Sequence, residues 1–324
     1  MFDRSVHNEL KRKNKIFALS VSVFAAMASA ARMVLTRFYI HEEAHFYTEK
    51  AGALVFSVDY IIAVGVILTY FISFFIYKRK RESHNYKESA DCLVQGTQAQ
   101  VFSAFLIGFL FLANSIFWVY SVANPVNKPE IQKSLSLLRR FADYAKEFPF
   151  DVFIFFASIL SAVYFFKTAA FNIDASETAA EAPEEAKDEN APANGYAAPH
   201  VIFSFMPIIW CFLNIFKCFF DMSKNVNSPV RIYELMSFLA LSAYFVSESR
   251  IIVGRRETAR FFTFAYIAVI VTTASSLPNL IWSSFWILST NNDQLLYATQ
   301  LAIVIYVFSR IYSQIKYGRF LLQR

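Results

Sequence analysis

Apolar residues fall into eight long blocks: Ile16–Thr36, Ala51–Tyr77, Ala99–Ala123, Phe148–Phe171, Val201–Phe220, Val230–Val253, Phe261–Trp286 and Leu295–Ile315. About 18 apolar residues suffice to cross a bilayer core of roughly 30 Å as a helix. Backbone groups in lipid must be satisfied internally, and no block shows the ten-residue alternation of a barrel strand. The pattern therefore predicts an all-α fold: a polytopic membrane helical bundle of about eight transmembrane helices.

One long hydrophilic segment, Asn172–His200, divides these blocks into four and four. It carries seven acidic residues against Lys187, diluted by alanine and by Pro183, Pro192 and Pro199. Too little apolar surface is present to offset the entropy of ordering, so disorder is expected. The chain thus reads as residues 1–171, an N-terminal four-helix membrane half, residues 172–200, a disordered acidic cytoplasmic linker, and residues 201–324, a C-terminal four-helix membrane half.

Between the blocks, one loop helix is expected. Ile131, Leu135, Leu138, Phe141, Ala145 and Phe148 form a stripe at helical spacing, with Lys133, Arg139, Arg140 and Lys146 on the polar positions. This predicts a short amphipathic helix lying on the membrane or capping the bundle.

Composition agrees with the pattern. The chain is 56% hydrophobic and only 17% charged, too apolar for the surface of a soluble domain of 324 residues. Its net charge of +6 does not point to nucleic acid. With the N-terminus inside, eighteen Lys and Arg residues fall on the cytoplasmic side and nine on the other. This positive-inside bias places both termini in the cytoplasm. Ala28-Ser29-Ala30 has the form of a signal-peptide cleavage site, but the apolar run continues to Leu35, so an uncleaved first helix is expected. Cys211 and Cys218 lie two turns apart on one helix and Cys92 lies in a loop, so no disulfide is expected.

The chemistry-bearing residues are few. His41-Glu42-Glu43-Ala44-His45 has the spacing of a zinc-binding helix, with His41 and His45 as metal ligands and Glu42 as base. A catalytic zinc takes a third protein ligand, and the other histidines, His7, His84 and His200, fall on the opposite side of the membrane. A polar interfacial loop is therefore expected, with no cofactor; zinc enters only if this motif assembles.

Ionisable residues within apolar blocks are costly and default to functional hypotheses. Arg32 and Asp59 sit at similar depth on the first hairpin, and Lys217 and Glu234 repeat the arrangement on the fifth and sixth blocks. Asp59 and Glu234 are offset by 175 residues, as are Lys80-Arg81 and Arg255-Arg256. Asn114 with Trp118, and Asn279 with Trp282, recur on the third and seventh blocks. The spacing suggests two parallel four-helix repeats. Both hairpin pairs are expected to be ion pairs, and Glu248 is expected to meet Lys167.

Seven glycines in the chain, and mid-helix prolines only at Pro207 and Pro278, give little sign of the broken helices that mark transporters. No nucleotide-binding or nucleophile motif is present. The first functional expectation is therefore a non-enzymatic membrane sensor, scaffold or partner subunit. Its partners would be the lipid bilayer and a membrane or cytoplasmic protein reached through the acidic linker. The alternative is a small-solute or ion transporter using a polar cluster of Arg32, Asp59, Asn114, Lys217, Glu234 and Asn279. A metalloprotease built on the HEEAH string comes third.

Overall fold

A computed structural model describes residues 4–40, 47, 52–78, 97–123, 136–181, 198–220, 228–253, 258–284 and 291–317. They form ten helices: α1 (Arg4–Tyr39), α2 (Gly52–Lys78), α3 (Gln98–Ala123), α4 (Leu137–Glu147), α5 (Pro149–Glu181), α6 (Ala198–Phe203), α7 (Met206–Phe220), α8 (Pro229–Ile252), α9 (Thr258–Ser284) and α10 (Asn291–Tyr317). Eight spans are long and apolar enough to cross a membrane, with α6 and α7 sharing one span, His200–Phe220. The bundle has two ends. The terminal end is where α1 begins and α10 finishes, and the loop end is where α1 turns into α2.

Six helices pack neighbour to neighbour in a closed ring, in the order α3, α5, α7, α8, α9, α10 and back to α3. The hairpin of α1 and α2 packs outside the ring against α9. α9 therefore touches α1, α2, α8 and α10, and 72% of its spanning window is buried, against 17% for α2. The two halves of the chain interlock, and whatever ancestry the 175-residue offset records, they do not pack alike.

Hydroxyl groups join α9 to each of its neighbours. Ser29 Oγ of α1 donates to the Thr273 carbonyl at 3.1 Å. Ser73 Oγ of α2 donates to Thr263 Oγ1 at 2.9 Å, and Ser237 Oγ of α8 to Thr272 Oγ1 at 3.2 Å. On the fourth side Ser276 Oγ donates to Gln300 Oε1 of α10. Lipid tails give helices no hydrophobic reason to associate, so small residues and interhelical hydrogen bonds take over.

Aromatic rings fill the ring of helices. Phe111 of α3 meets the Trp210 edge at 4.9 Å and stacks on Phe165 at 5.7 Å. Trp210 continues to Phe238 at 5.5 Å, and Phe165 to Tyr306 at 5.3 Å. These side chains belong to α3, α5, α7, α8 and α10, so one plug ties five of the six ring helices. Scarce glycine serves packing elsewhere. A Cβ at Gly108 would lie 2.8 Å from the Phe166 ring, which rests on the bare backbone of α3.

Two stretches depart from expectation. α5 runs on to Glu181, ten residues into the segment expected to be disordered. Extending a helix needs no new nucleus, and Ala and Glu are strong helix formers. At its other end residues 198–200 of the same segment already belong to α6, and residues 182–197 lie outside the described residues. The fifth block is interrupted by a turn at Ser204–Phe205 ahead of Pro207. Proline lacks an N–H and its ring clashes with the preceding turn, so the helix restarts there. The amphipathic loop helix forms as α4, with residues 131–135 outside the described residues.

Truncating the fully buried Phe165 to alanine should destabilise the protein by about 3–5 kcal/mol, lost contacts and the cavity left behind adding together. The lipid-facing Phe56, 77% exposed, should tolerate the same change with a shift of under about 0.5 kcal/mol. Denaturation of the two variants in mixed detergent micelles measures the difference.

Candidate functional site

Polar groups collect in four places, three toward the loop end and one toward the terminal end. The first is built around Arg32 of α1, 1% exposed. Its Nη1 donates to the Tyr47 hydroxyl and lies 3.8 Å from Asp59 Oδ1. The guanidinium also sits over the Tyr233 ring of α8, 3.8 Å from its centre. Asp59 accepts from the Tyr47 hydroxyl at 3.2 Å and from the Tyr233 hydroxyl at 2.7 Å. Burial pushes the Tyr47 hydroxyl up to about 12, Arg32 pulling it down and Asp59 raising it. Tyr47 thus stays protonated and donating at ordinary pH. The expected Arg32–Asp59 pair forms, held by two tyrosines that a search for charges passes over.

The second place is a cavity of about 80 Å3 inside the ring, between α3, α5, α7 and α10. Asn114, Trp118, Asp151, Asn214, Lys217 and Asp293 line it, with Trp210 of the plug as its floor. Lys217 Nζ meets Asp151 Oδ1 at 2.8 Å. The sequence reading paired Lys217 with Glu234. Asp151 wins because it opens α5 while Lys217 closes α7, so the two helix dipoles favour both charges at one level.

Helix α4 packs against residues that line this cavity. Trp118 packs edge-on against Phe141 at 5.2 Å and Tyr144 at 5.5 Å. The Tyr144 hydroxyl donates to Asp151 Oδ2 at 2.8 Å, and Arg140 donates to the Ala123 carbonyl that ends α3. Asp151 therefore has both oxygens engaged and its side chain fixed. The Trp118 indole N–H is buried with no hydrogen-bond partner among the described residues. Asn114 Nδ2 donates to Thr299 Oγ1 at 2.6 Å, and Asn214 Nδ2 to the Trp210 carbonyl at 2.8 Å. Both amides are thereby fixed in place.

A third set lies along α9. Asn279 is 1% exposed, and neither side-chain amide atom has a hydrogen-bond partner among the described residues. Ser275 Oγ and Gln300 Nε2 share that condition. Glu234 is buried on α8, one turn toward the loop end from the Ser237–Thr272 bond, at the level of Ser275.

Toward the terminal end stands a fully buried ion pair. Arg310 Nε lies 3.1 Å from Glu248 Oε1. The Tyr306 hydroxyl donates to that oxygen at 2.8 Å and accepts from Arg310 Nε at 2.8 Å. Arg310 had read as a cytoplasmic topology charge. Its place one turn past Tyr306 on the inward stripe of α10 puts it inside instead. Lys167, the partner expected for Glu248, lies over the Phe203 ring at 4.8 Å. His200 is buried and stacked on Tyr164 at 5.2 Å.

Structure thus joins Arg32 with Asp59, brings Asn114 and Lys217 to one cavity, and buries Glu234 and Asn279. Sequence reasoning missed Asp151, an acid three residues into an apolar block, although the rule that singled out Asp59 applies to it equally. His41 and His45 lie outside the described residues, bracketed by an antiparallel bridge of Ile40 with Tyr47. No group of three metal-binding side chains occurs among the described residues. No family model, curated protein or solved structure matches the chain.

Replacing Glu248 or Arg310 alone by alanine should cost about 3–5 kcal/mol, because the remaining charge is left buried. The joint replacement Glu248→Leu with Arg310→Met should recover most of that loss. Thermal denaturation of the three purified variants checks the order.

Proposed function

We propose that this protein is a membrane carrier for a small polar solute, and the observation that carries the reading is the cavity at the loop end. Positive-inside bias assigns that end to the outside and both termini to the cytoplasm. A solute entering there exchanges its hydration shell for Lys217 and the fixed amides of Asn114 and Asn214, above a floor made by Trp210. Below the floor the aromatic plug blocks the ring, and below the plug lies the Arg310–Glu248 pair. Tyr306 belongs to both, edge-on to Phe165 and bonded to Glu248. Displacing the plug therefore disturbs the pair, and a change at the pair is felt by the plug.

The divided span of α6 and α7 supports the same reading. Irregular backbone at membrane depth is tolerated where protein or a cavity satisfies it. Here the Ser204 carbonyl accepts from Ser249 Oγ at 3.0 Å, beside Glu248. Discontinuous helices recur around the binding sites of many carriers.

Reconstituted vesicles tested against a panel of labelled small polar solutes should accumulate at least one. Lys217→Met should lower that uptake about tenfold or more without loss of folding, since Lys217 is half exposed. Flat uptake across the panel by folded protein would reject a carrier. A solute that binds and is not moved would make the protein the sensor that its composition first suggested.

A further inference from the structure

The loop-end half of α9 buries more hydrogen-bonding groups than its neighbours satisfy. Neither atom of the Asn279 amide has a partner among the described residues. Ser275, one turn earlier on the same face, keeps an unused hydroxyl, and Gln300 of α10 keeps an unused side-chain nitrogen. Ser276, three residues before Asn279, donates to Gln300 Oε1, so all of these groups meet in one seam between α9 and α10. A buried polar group that bonds to nothing costs stability, whereas an apolar side chain of the same shape would not. A core that keeps such groups has a use for them in a second arrangement.

The seam adjoins the cavity. Leu296 lines the cavity, and Gln300 follows one turn deeper on the same face of α10. Thr299, the neighbour of Gln300, takes the hydrogen bond from Asn114 of the cavity wall. Pro278 lies in the same stretch, and its missing N–H removes one rung of the α9 ladder, which gives the helix a place to bend.

The chemistry of the seam is uncharged. Its unused groups are two amides and a hydroxyl, which donate and accept in one place. Glu234, the acid at the level of Ser275, already interacts with another group. At the cavity, Lys217 and Asp151 neutralise each other. An ion entering the seam would lose its hydration and gain no opposite charge. A neutral molecule that both donates and accepts hydrogen bonds would match every group.

Resting on the carrier reading, we infer that Ser275, Asn279 and Gln300 form a second binding position beside the cavity, for a small uncharged hydrogen-bonding solute. The seam opens to it when α9 and α10 part near Pro278. Water and small polyols or amides share this chemistry.

Full-length protein in vesicles is tested for passage of water, glycerol, acetamide, acetate and choline. Glycerol or acetamide should cross faster than in protein-free vesicles, and acetate and choline should not. Passage of water alone keeps the seam and names water as its occupant. Asn279→Leu and Gln300→Leu should each slow glycerol about tenfold, the worth of roughly one hydrogen bond, with an equal or higher melting temperature. Unaltered rates in the folded variants would overturn the inference. A lower melting temperature in both would also overturn it, since the amides would then be satisfied in the resting structure. Ser275→Cys reports opening directly, with Cys92, Cys211 and Cys218 replaced by alanine. Methyl methanethiosulfonate should modify this thiol and glycerol should slow the reaction; a thiol that never reacts rejects the seam. Uptake of charged solutes alone keeps the carrier and rejects the seam. Labelling slowed by glycerol without any uptake keeps the site and rejects the carrier.

Discussion

Hydrogen bonds made by serine and threonine hydroxyls along α9 set the positions of the helices around it. α9 meets four helices and is bonded to each through serine or threonine, at Thr263, Thr272, the Thr273 carbonyl and Ser276. Each such bond contributes only about 0.6 kcal/mol in a membrane. Their effect lies in direction, since each fixes a register. The Ser237–Thr272 bond levels Glu234 with Ser275, and the Ser29 bond holds α1 so that Arg32 reaches across to Tyr233.

The closed ring then divides labour between its two ends. At the loop end three helix termini bring alternating dipoles together, and Asp151, Lys217 and Asp293 gather there. At the terminal end Glu248 and Arg310 are buried together and share the Tyr306 hydroxyl. Between them the plug is anchored by Trp210 on the cavity side and by Tyr306 on the pair side. α10 runs through all three layers, with Asp293 and Thr299 at the cavity, Tyr306 in the plug and Arg310 in the pair. The α1–α2 hairpin stands apart as a brace, clamped to the ring by the Arg32 group.

Most of the architecture was legible because length and apolarity report spans directly: the helix class and the eight crossings are as the blocks indicate. What hydropathy cannot report is which spans lie inside. α2, an almost unbroken apolar block, faces lipid, whereas α9, with its threonines and serines, is the core. In lipid the solvent is as greasy as the side chains, so burial follows small and polar residues instead. Of the site, Arg32 with Asp59 was legible from shared depth on one hairpin. Lys217 with Asp151, and Glu248 with Arg310, were not, because they join helices from different hairpins and only the ring order brings them together. Tyr47, Tyr233 and Tyr306 were invisible to a search for charges.

The continuation of α5 beyond the bilayer gives the ring a handle. Ten residues past Phe171 make a rod about 15 Å long, rigidly continuous with the wall that carries Asp151, Phe165 and Tyr164. A rod of that length is a lever: a small sideways pull at its tip, applied by anything that grips the acidic stretch, becomes a tilt of α5. Such a tilt changes the Lys217–Asp151 spacing at one end and the Phe165–Tyr306 contact below it. The rod thus stands at the terminal end of the same helix whose first turn lines the cavity at the loop end.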